Sequence, residues 1–129
     1  EPLMGEGSVV LSIAAGRTLV SLSRNLPPGT PIVRAMPNVA ASIGRSMTAA
    51  CANSAVTRDQ ALECTMLLEA IGDVMWIDDE SLLDAITSVS GSGPAYVFLL
   101  AECLAEAGRA AGLDAELANR LARATVEVL

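Results

Sequence analysis

The first part of the chain alternates short apolar runs with turn residues and one short amphipathic stretch. Residues 9–14 form a nearly unbroken apolar run rich in branched side chains, which predicts a strand buried on both faces. Thr18 is placed to cap a short helix that stops before the Pro-Pro-Gly turn at 27–29. An extended pattern resumes over residues 31–36. Strand, helix and strand in this order indicate a βαβ unit of a parallel sheet.

The same alternation continues in the next segment. Residues 47–52 favour a third strand, and the capping-box spacing at Thr57 predicts a helix that runs to Ile71. We expect Gly72 to cap the end of this helix and residues 74–77 to form a fourth strand. The first part of the chain is therefore predicted to be an α/β layer.

The rest of the chain carries only helical periodicity. The acidic run Asp78–Glu80 is expected to be a solvated helix start, because carboxylates favour helix N-termini. We place a domain boundary there, with an α/β domain over 1–79 and an all-helical domain over 80–129. The helix predicted over residues 95–111 is apolar around most of its circumference, so it requires burial against a partner subunit or further chain. We also expect both ends of the chain to be cut from a longer protein.

Composition narrows the chemistry. The 129 residues carry a net charge of −7, which repels phosphate backbones and anionic lipid surfaces and disfavours nucleic acid as a partner. There is no histidine, which excludes histidine metal sites and histidine-activated nucleophiles. No apolar run reaches the roughly 18 residues of a membrane span. The three cysteines lie far apart, which predicts free buried thiols in a reducing cytoplasm.

The glycine-rich stretch over residues 90–94 is the most informative segment, and two interpretations of it stay open. Its serines and the following helix start suit a small carboxylate, whereas its glycines also suit a helix kink with tight packing, which spacing alone favours. Thr87 lies one helical turn earlier. Its hydroxyl either faces the same pocket or bonds back to its own helix, which is the commoner arrangement.

Turn residues follow the first two predicted strands. Ala14 and Ala15 come after the first strand, and the sequence Met36-Pro37-Asn38 closes the second. In open parallel sheets ligands sit beyond the carboxyl ends of strands, yet Asn38 serves equally well as a residue that closes a turn on its own backbone. No glycine-rich phosphate fingerprint is present, so an independent dinucleotide site is not supported.

Three segments, taken in order and with their spacing, resemble the pyrroline-5-carboxylate reductases. They are Ser12–Gly16, Arg34–Asn38 and Asp84–Phe98, the last containing Ser-Gly-Ser-Gly-Pro-Ala-Tyr preceded by Asp-Ala-x-Thr. The resemblance implies the C-terminal part of a Rossmann-like parallel sheet followed by an all-α dimerisation domain, both incomplete. The chain would then lack the N-terminal phosphate loop and the C-terminal loop that holds the substrate carboxylate in that family.

The resemblance further implies the last step of proline biosynthesis, in which a hydride passes from NADPH or NADH to the C=N bond of 1-pyrroline-5-carboxylate and gives L-proline. It implies a cytoplasmic homo-oligomer that associates through its C-terminal helices. Thr87 would hydrogen-bond the ring nitrogen and Ser90 would shape the substrate pocket. The nicotinamide end of the cofactor site would be lined by Ala14, Ala15, Met36, Pro37 and Asn38.

The chain departs from the family pattern at two places. Val39–Ala40 stands where the family usually has Thr-Pro, and Ser46 stands where glycine is common. Both departures affect the loop on the nicotinamide side. Two other functions remain as alternatives: a related Rossmann-type reductase of another imine or keto acid, and a helical assembly module without catalysis. Under the pyrroline-5-carboxylate reductase interpretation we expect the chain by itself to be inactive.

Overall fold

A computed structural model describes residues 5–127 of the chain. The chain divides into two compact units, the first ending at Gly91 and the second beginning at Ser92. This division falls in the glycine-rich stretch rather than after residue 79, and the predicted boundary at that residue stays a prediction. Each unit has its own packing and is described by itself.

The first unit is built on a four-stranded sheet with strands in chain order: β1 (Val10–Ser12), β2 (Ile32–Met36), β3 (Ser46–Ala52) and β4 (Gly72–Trp76). β1 pairs with β2 and β3 pairs with β4 in parallel, whereas β2 and β3 are antiparallel. The sheet is therefore mixed rather than wholly parallel. The physical reason is a 3-10 turn at Val39–Ile43, which returns the chain directly where a parallel pair would need a long crossover.

Two helices connect the parallel strand pairs, and their starts are those that the sequence predicts. α1 (Leu19–Ser23) begins after Thr18, whose hydroxyl accepts a hydrogen bond from the backbone of Ser21. α2 (Arg58–Glu69) begins with the complete capping box at Thr57. Both crossovers are the βαβ connections expected of a Rossmann-like α/β unit.

The predicted end of α2 is wrong. α2 ends at Glu69, and Gly72 is the first residue of β4 rather than a helix cap. At Gly72 φ is +143°, and a Cβ atom there would lie 2.1 Å from the carbonyl oxygen of Ser46. Glycine is therefore required because the backbones of β3 and β4 approach each other closely at this point.

Small and aliphatic residues fill the core on both faces of the sheet. One face packs against α2 through Val33, Ala35, Ala50, Cys64 and Leu68, and the other holds Ala49, Cys51 and Leu83. Burial raises the pKa of the Cys51 and Cys64 thiols, so both stay protonated at neutral pH. All three cysteines are free, but Cys103 is exposed, contrary to the buried position expected for it.

The last segment of the first unit changes its helical pitch twice. The single helix predicted over residues 81–89 is instead a 3-10 turn at Glu80–Leu82, the short α3 (Leu83–Ile86) and one π-helical turn at Thr87–Gly91. Single π turns inside helices are rare and concentrate at functional sites. This turn contains the two candidate substrate residues.

The second unit is a pair of packed helices, α4 (Gly93–Ala110) and α5 (Ala115–Val126). Pro94 occupies the first turn of α4, and Asp114 caps α5 by accepting a hydrogen bond from the backbone of Leu117, as predicted. Small residues let the helices approach closely, since a Cβ atom at Gly108 would lie 3.3 Å from the Cβ of Ala118. No helix among residues 5–127 is long and apolar enough to cross a membrane.

α4 leaves most of its apolar surface uncovered within its own unit. Its one buried residue is Ala105. The exposed large side chains are Tyr96, Val97, Phe98, Leu99, Leu100 and Leu104. Exposed apolar side chains around most of the circumference of a helix mark an interaction surface, which agrees with the need for a covering partner that the sequence predicts.

Candidate functional site

The turns after β1 and β2 lie on the same edge of the sheet. Ser12 pairs with Arg34 in the parallel register, so Ala14 and Ala15 leave β1 beside the point where β2 ends. Both alanines are exposed. Their small side chains leave this edge of the sheet open to an approaching ligand.

Asn38 follows β2, and both polar atoms of its side chain form hydrogen bonds within the first unit. Its Oδ1 accepts a hydrogen bond from the backbone of Ala40 at 3.0 Å, which caps the 3-10 turn. Its Nδ2 donates to the carbonyl oxygen of Ser90 at 3.1 Å. Asn38 thus closes a turn on its own backbone, which is one of the two roles expected for it. In addition, its bond to Ser90 connects the loop after β2 to the π turn. Its role beside a cofactor stays a prediction.

A buried pair of hydroxyl groups in β3 holds the backbone of Asn38 in place. The backbone N–H of Asn38 donates to Ser46 Oγ at 3.1 Å, and Ser46 Oγ lies 3.2 Å from Thr48 Oγ1. Both hydroxyl residues are buried in β3. Sequence reasoning identified Ser46 only as a departure from a family pattern and gave no hint of this contact, because its partner lies across the β2–β3 turn.

The π turn brings several predicted site residues together. The Thr87 hydroxyl donates to the carbonyl oxygen of Leu83 at 2.6 Å, which is the intrahelical bond that an isolated helix threonine favours. Ser90 Oγ donates to the carbonyl of Met47 at 3.4 Å. A Cβ atom at Gly91 would lie 3.1 Å from Thr87 Cγ2 and 3.6 Å from Met36 Cε. Met36, Thr87 and Ser90 therefore meet around Gly91.

An apolar cavity of about 340 Å³ lies beside Ser90. It is lined by Met47 and Ala49 of β3, Met75 of β4, and Ala85, Ile86 and Val89. The first unit thus has an apolar hollow next to the polar contacts of the π turn. Within the described residues no group of acidic and cysteine side chains is arranged to hold a metal ion.

Glu80 is the functional candidate that sequence reasoning missed. Its Oε1 accepts hydrogen bonds from Arg34 Nη1 and from the backbone N–H of Leu19, both at 2.8 Å. The expected solvated acidic run is therefore wrong at this residue, whereas Asp78 and Asp79 are exposed as predicted. Asp79 is exposed and bonds the backbone of Ser81, and this hydrogen bonding lowers the pKa of its carboxyl group.

Two parallel strand pairs with helical crossovers, followed by a helical pair with an uncovered apolar face, define a class. They are the parts of a Rossmann-like α/β unit followed by helices that carry an interaction surface. Comparisons with known proteins show which proteins this chain is similar to.

A family profile described as pyrroline-5-carboxylate reductase dimerisation matches residues 80–128. The curated pyrroline-5-carboxylate reductase of Mycobacterium tuberculosis (strain H37Rv) is 47% identical over 118 residues, which are 92% of this chain and 40% of the relative. The pyrroline-5-carboxylate reductase of Pisum sativum is 38% identical over 126 residues, covering 98% of this chain and 45% of the relative. Both relatives extend the match across the first and second units.

Solved structures agree with these relatives. A pyrroline-5-carboxylate reductase from Coxiella burnetii superposes with a TM-score of 0.81 at 39% identity, over 92% of this chain and 44% of that chain. The NADP-bound pyrroline carboxylate reductase of Plasmodium falciparum gives a TM-score of 0.84 at 30% identity, over 92% of this chain and 48% of that chain. The fold class and the resemblance inferred from sequence are confirmed, and the chain spans less than half the length of these proteins.

Proposed function

We propose that this chain is the middle part of a pyrroline-5-carboxylate reductase, which reduces 1-pyrroline-5-carboxylate to L-proline with NADPH or NADH. The observation that carries the proposal is similarity over 92% of the chain, at up to 47% identity, to proteins of that name. We call the longer protein that contains this chain the full-length parent. The chain alone covers about 40% of such a protein, and we expect it to be inactive.

The open edge beyond β1 and β2 fits the flat nicotinamide end of the cofactor. Ala14 and Ala15 are small and exposed, and no described residue other than the two chain neighbours of Gly16 lies within 4 Å of the position that a Cβ of Gly16 would take. Met36, Pro37 and Asn38 form the neighbouring wall. When bound, the cofactor supplies the hydride to the C=N carbon. The small side chains of this edge allow the close approach that such a transfer needs.

Thr87 faces the substrate side in this proposal, and its present hydrogen bond limits what it can do. Because its hydroxyl proton is donated to Leu83, Thr87 can offer only oxygen lone pairs to a ligand. A protonated ring nitrogen carries an N–H group, which can donate a hydrogen bond to one of these lone pairs. Thr87 would thus hold the imine in its protonated form, in which the carbon is most electrophilic, and would not itself supply the proton. Ser90 would shape the adjacent pocket.

Self-association is part of the same proposal. The uncovered apolar face of α4 requires a partner, and the matching family profile is one of dimerisation. A second copy of the subunit supplies a face of the same character, as symmetric dimers do. We also propose a cytoplasmic location, because the free thiols suit a reducing compartment.

A reductase assay on the full-length parent tests the proposal. We expect saturable NADPH oxidation with 1-pyrroline-5-carboxylate, and a KM for the imine that rises about tenfold in Thr87→Val, because a hydrogen bond to a charged group is lost. Thr87→Ser keeps the oxygen and should stay near wild type. Ser88→Ala is the matched control, since the Ser88 hydroxyl is exposed and bonds only the carbonyl of Ala85.

The outcomes test the reductase function and the role of Thr87 separately. A folded parent that binds NADPH yet turns over only other imines or keto acids would replace the function with that of a related reductase. Tight self-association without any dinucleotide binding would favour the helical assembly module. Normal turnover in Thr87→Val would leave the reductase function standing and remove Thr87 from the substrate site.

A further inference from the structure

One carboxylate oxygen joins three segments that are distant in sequence. Glu80 Oε1 accepts from the side chain of Arg34 in β2 and from the backbone N–H of Leu19, the first residue of α1. The Arg34 side chain is 6% exposed and that of Glu80 is 25% exposed, so the ion pair is largely shielded from solvent. Water therefore screens this contact much less than it screens a surface pair.

Each of the three segments runs into a part of the candidate site. α1 follows directly on the turn that contains Ala14 and Ala15, and Arg34 lies in β2 just ahead of Met36 and Asn38. Glu80 opens the helical segment that carries Thr87. The oxygen of Glu80 is consequently the point at which the turn after β1, the end of β2 and the π-turn segment are fixed to one another.

The contact with α1 has a specific geometric effect. The first backbone N–H groups of a helix have no partner within it, and Thr18 satisfies the one on Ser21. Glu80 satisfies the one on Leu19, immediately after the turn. Since α1 has only five residues, it has little internal stability of its own, and the carboxylate from a distant segment joins the Thr18 cap in holding the start of the helix.

We propose that Glu80 is a positioning residue for the cofactor-facing turn, acting through Leu19 and Arg34 and touching neither cofactor nor substrate. The inference rests on the proposed function for the identity of the ligand. Its structural half, the anchoring of α1 by a carboxylate, is independent of any ligand.

The structural half is tested by hydrogen–deuterium exchange on the full-length parent without cofactor. We expect the peptide that contains α1 to exchange about tenfold faster in Glu80→Ala, because the first-turn N–H loses its acceptor. Asp78→Ala is the matched control. It removes an exposed carboxylate of the same acidic run, keeps the Asp79 cap of the turn that carries Glu80, and should leave α1 exchange unchanged.

The functional half is tested by the dissociation constant of NADPH, measured by fluorescence titration. Glu80→Ala and the shorter Glu80→Asp should weaken NADPH binding about tenfold. The KM for the imine at saturating NADPH should change less than about twofold, because buried Leu83 and the bond from Asn38 to Ser90 still hold the π-turn segment. Glu80→Gln keeps an acceptor oxygen for both donors but leaves the Arg34 charge unpaired. It should lower the melting temperature and still bind NADPH close to the wild-type constant.

Comparing NADPH binding with melting temperature across the Glu80 variants distinguishes a positioning role from a purely structural one. A structural role predicts that binding falls with melting temperature across all variants, with Glu80→Gln among the worst. Wild-type NADPH binding and α1 exchange in Glu80→Asp would overturn the inference, and so would equal effects from Asp78→Ala. Failure of the wild-type parent to bind NADPH would instead overturn the proposed function, and the exchange experiment would still decide whether Glu80 anchors α1.

Discussion

Replacing Asn38 by aspartate removes one hydrogen-bond donor at the junction between the loop after β2 and the π turn. Aspartate has nearly the same shape and caps a helix as well as asparagine does, so the bond from the backbone of Ala40 is retained. The contact that changes is the one from Nδ2 to the carbonyl of Ser90 at 3.1 Å. In the variant a carboxylate oxygen faces that carbonyl, and two acceptors repel each other.

The magnitude follows from the burial of this contact. A hydrogen bond whose removal leaves a buried acceptor unsatisfied is worth about 1–3 kcal/mol, and because Ser90 is half-buried we expect about 1.5 kcal/mol in Asn38→Asp. For a subunit of about 300 residues this is a decrease of about 2–3 °C in melting temperature. Asn38→Ala loses the cap as well as the donor and should be at least as destabilised.

The assay is thermal unfolding of the full-length parent followed by circular dichroism, with exchange of the peptide over residues 87–91 as a local readout. Ser42→Ala is the control on the same turn, since the Ser42 hydroxyl is exposed and bonds only the carbonyl of Val39. Its effect should stay below about 0.5 kcal/mol. If Asn38→Asp is as stable as wild type while Asn38→Ala is not, only the cap matters and the link to Ser90 carries no energy.

Three further predictions concern the packing that supports the site. Gly72→Ala should lower the free energy of unfolding by about 3 kcal/mol or more, because the new Cβ would lie 2.1 Å from the Ser46 carbonyl oxygen. Urea unfolding of the parent measures this free energy. A loss under about 1 kcal/mol would contradict the prediction. Thr57→Ala should cost about 1 kcal/mol in the same assay through loss of the capping box, whereas an unchanged midpoint would show that α2 needs no cap. Cys51 and Cys64 should resist alkylation at neutral pH until the sheet unfolds, since burial raises the pKa of both thiols. Mass spectrometry of the alkylated native protein measures the labelling, and rapid labelling of either cysteine would refute the prediction.

Local patterns predicted the elements of this fold well. The caps at Thr18, Thr57 and Asp114 and the proline in the first turn of α4 are where the sequence places them. These features depend on residues within one helical turn of each other. The α/β first half and the need to cover α4 followed from apolar periodicity, which also acts over short distances.

Contacts between distant residues were not predictable in the same way. Arg34 and Glu80 are 46 positions apart and Asn38 and Ser90 are 52 apart, so no spacing rule connects them. The role of Gly72 also depends on a neighbouring strand, since its close approach to Ser46 exists only once β3 and β4 pair. The antiparallel step between β2 and β3 departs from the predicted parallel sheet because the connection between the two strands is too short for a parallel crossover.

The most direct test of the central claim is a chimera. The aligned 118-residue segment of the Mycobacterium tuberculosis reductase is replaced by the corresponding part of this chain, and NADPH oxidation with 1-pyrroline-5-carboxylate is measured. If this chain is the middle of such an enzyme, the chimera assembles and retains kcat/KM within about tenfold of the parent enzyme. A folded, assembled chimera that binds NADPH and does not reduce the imine would contradict the account.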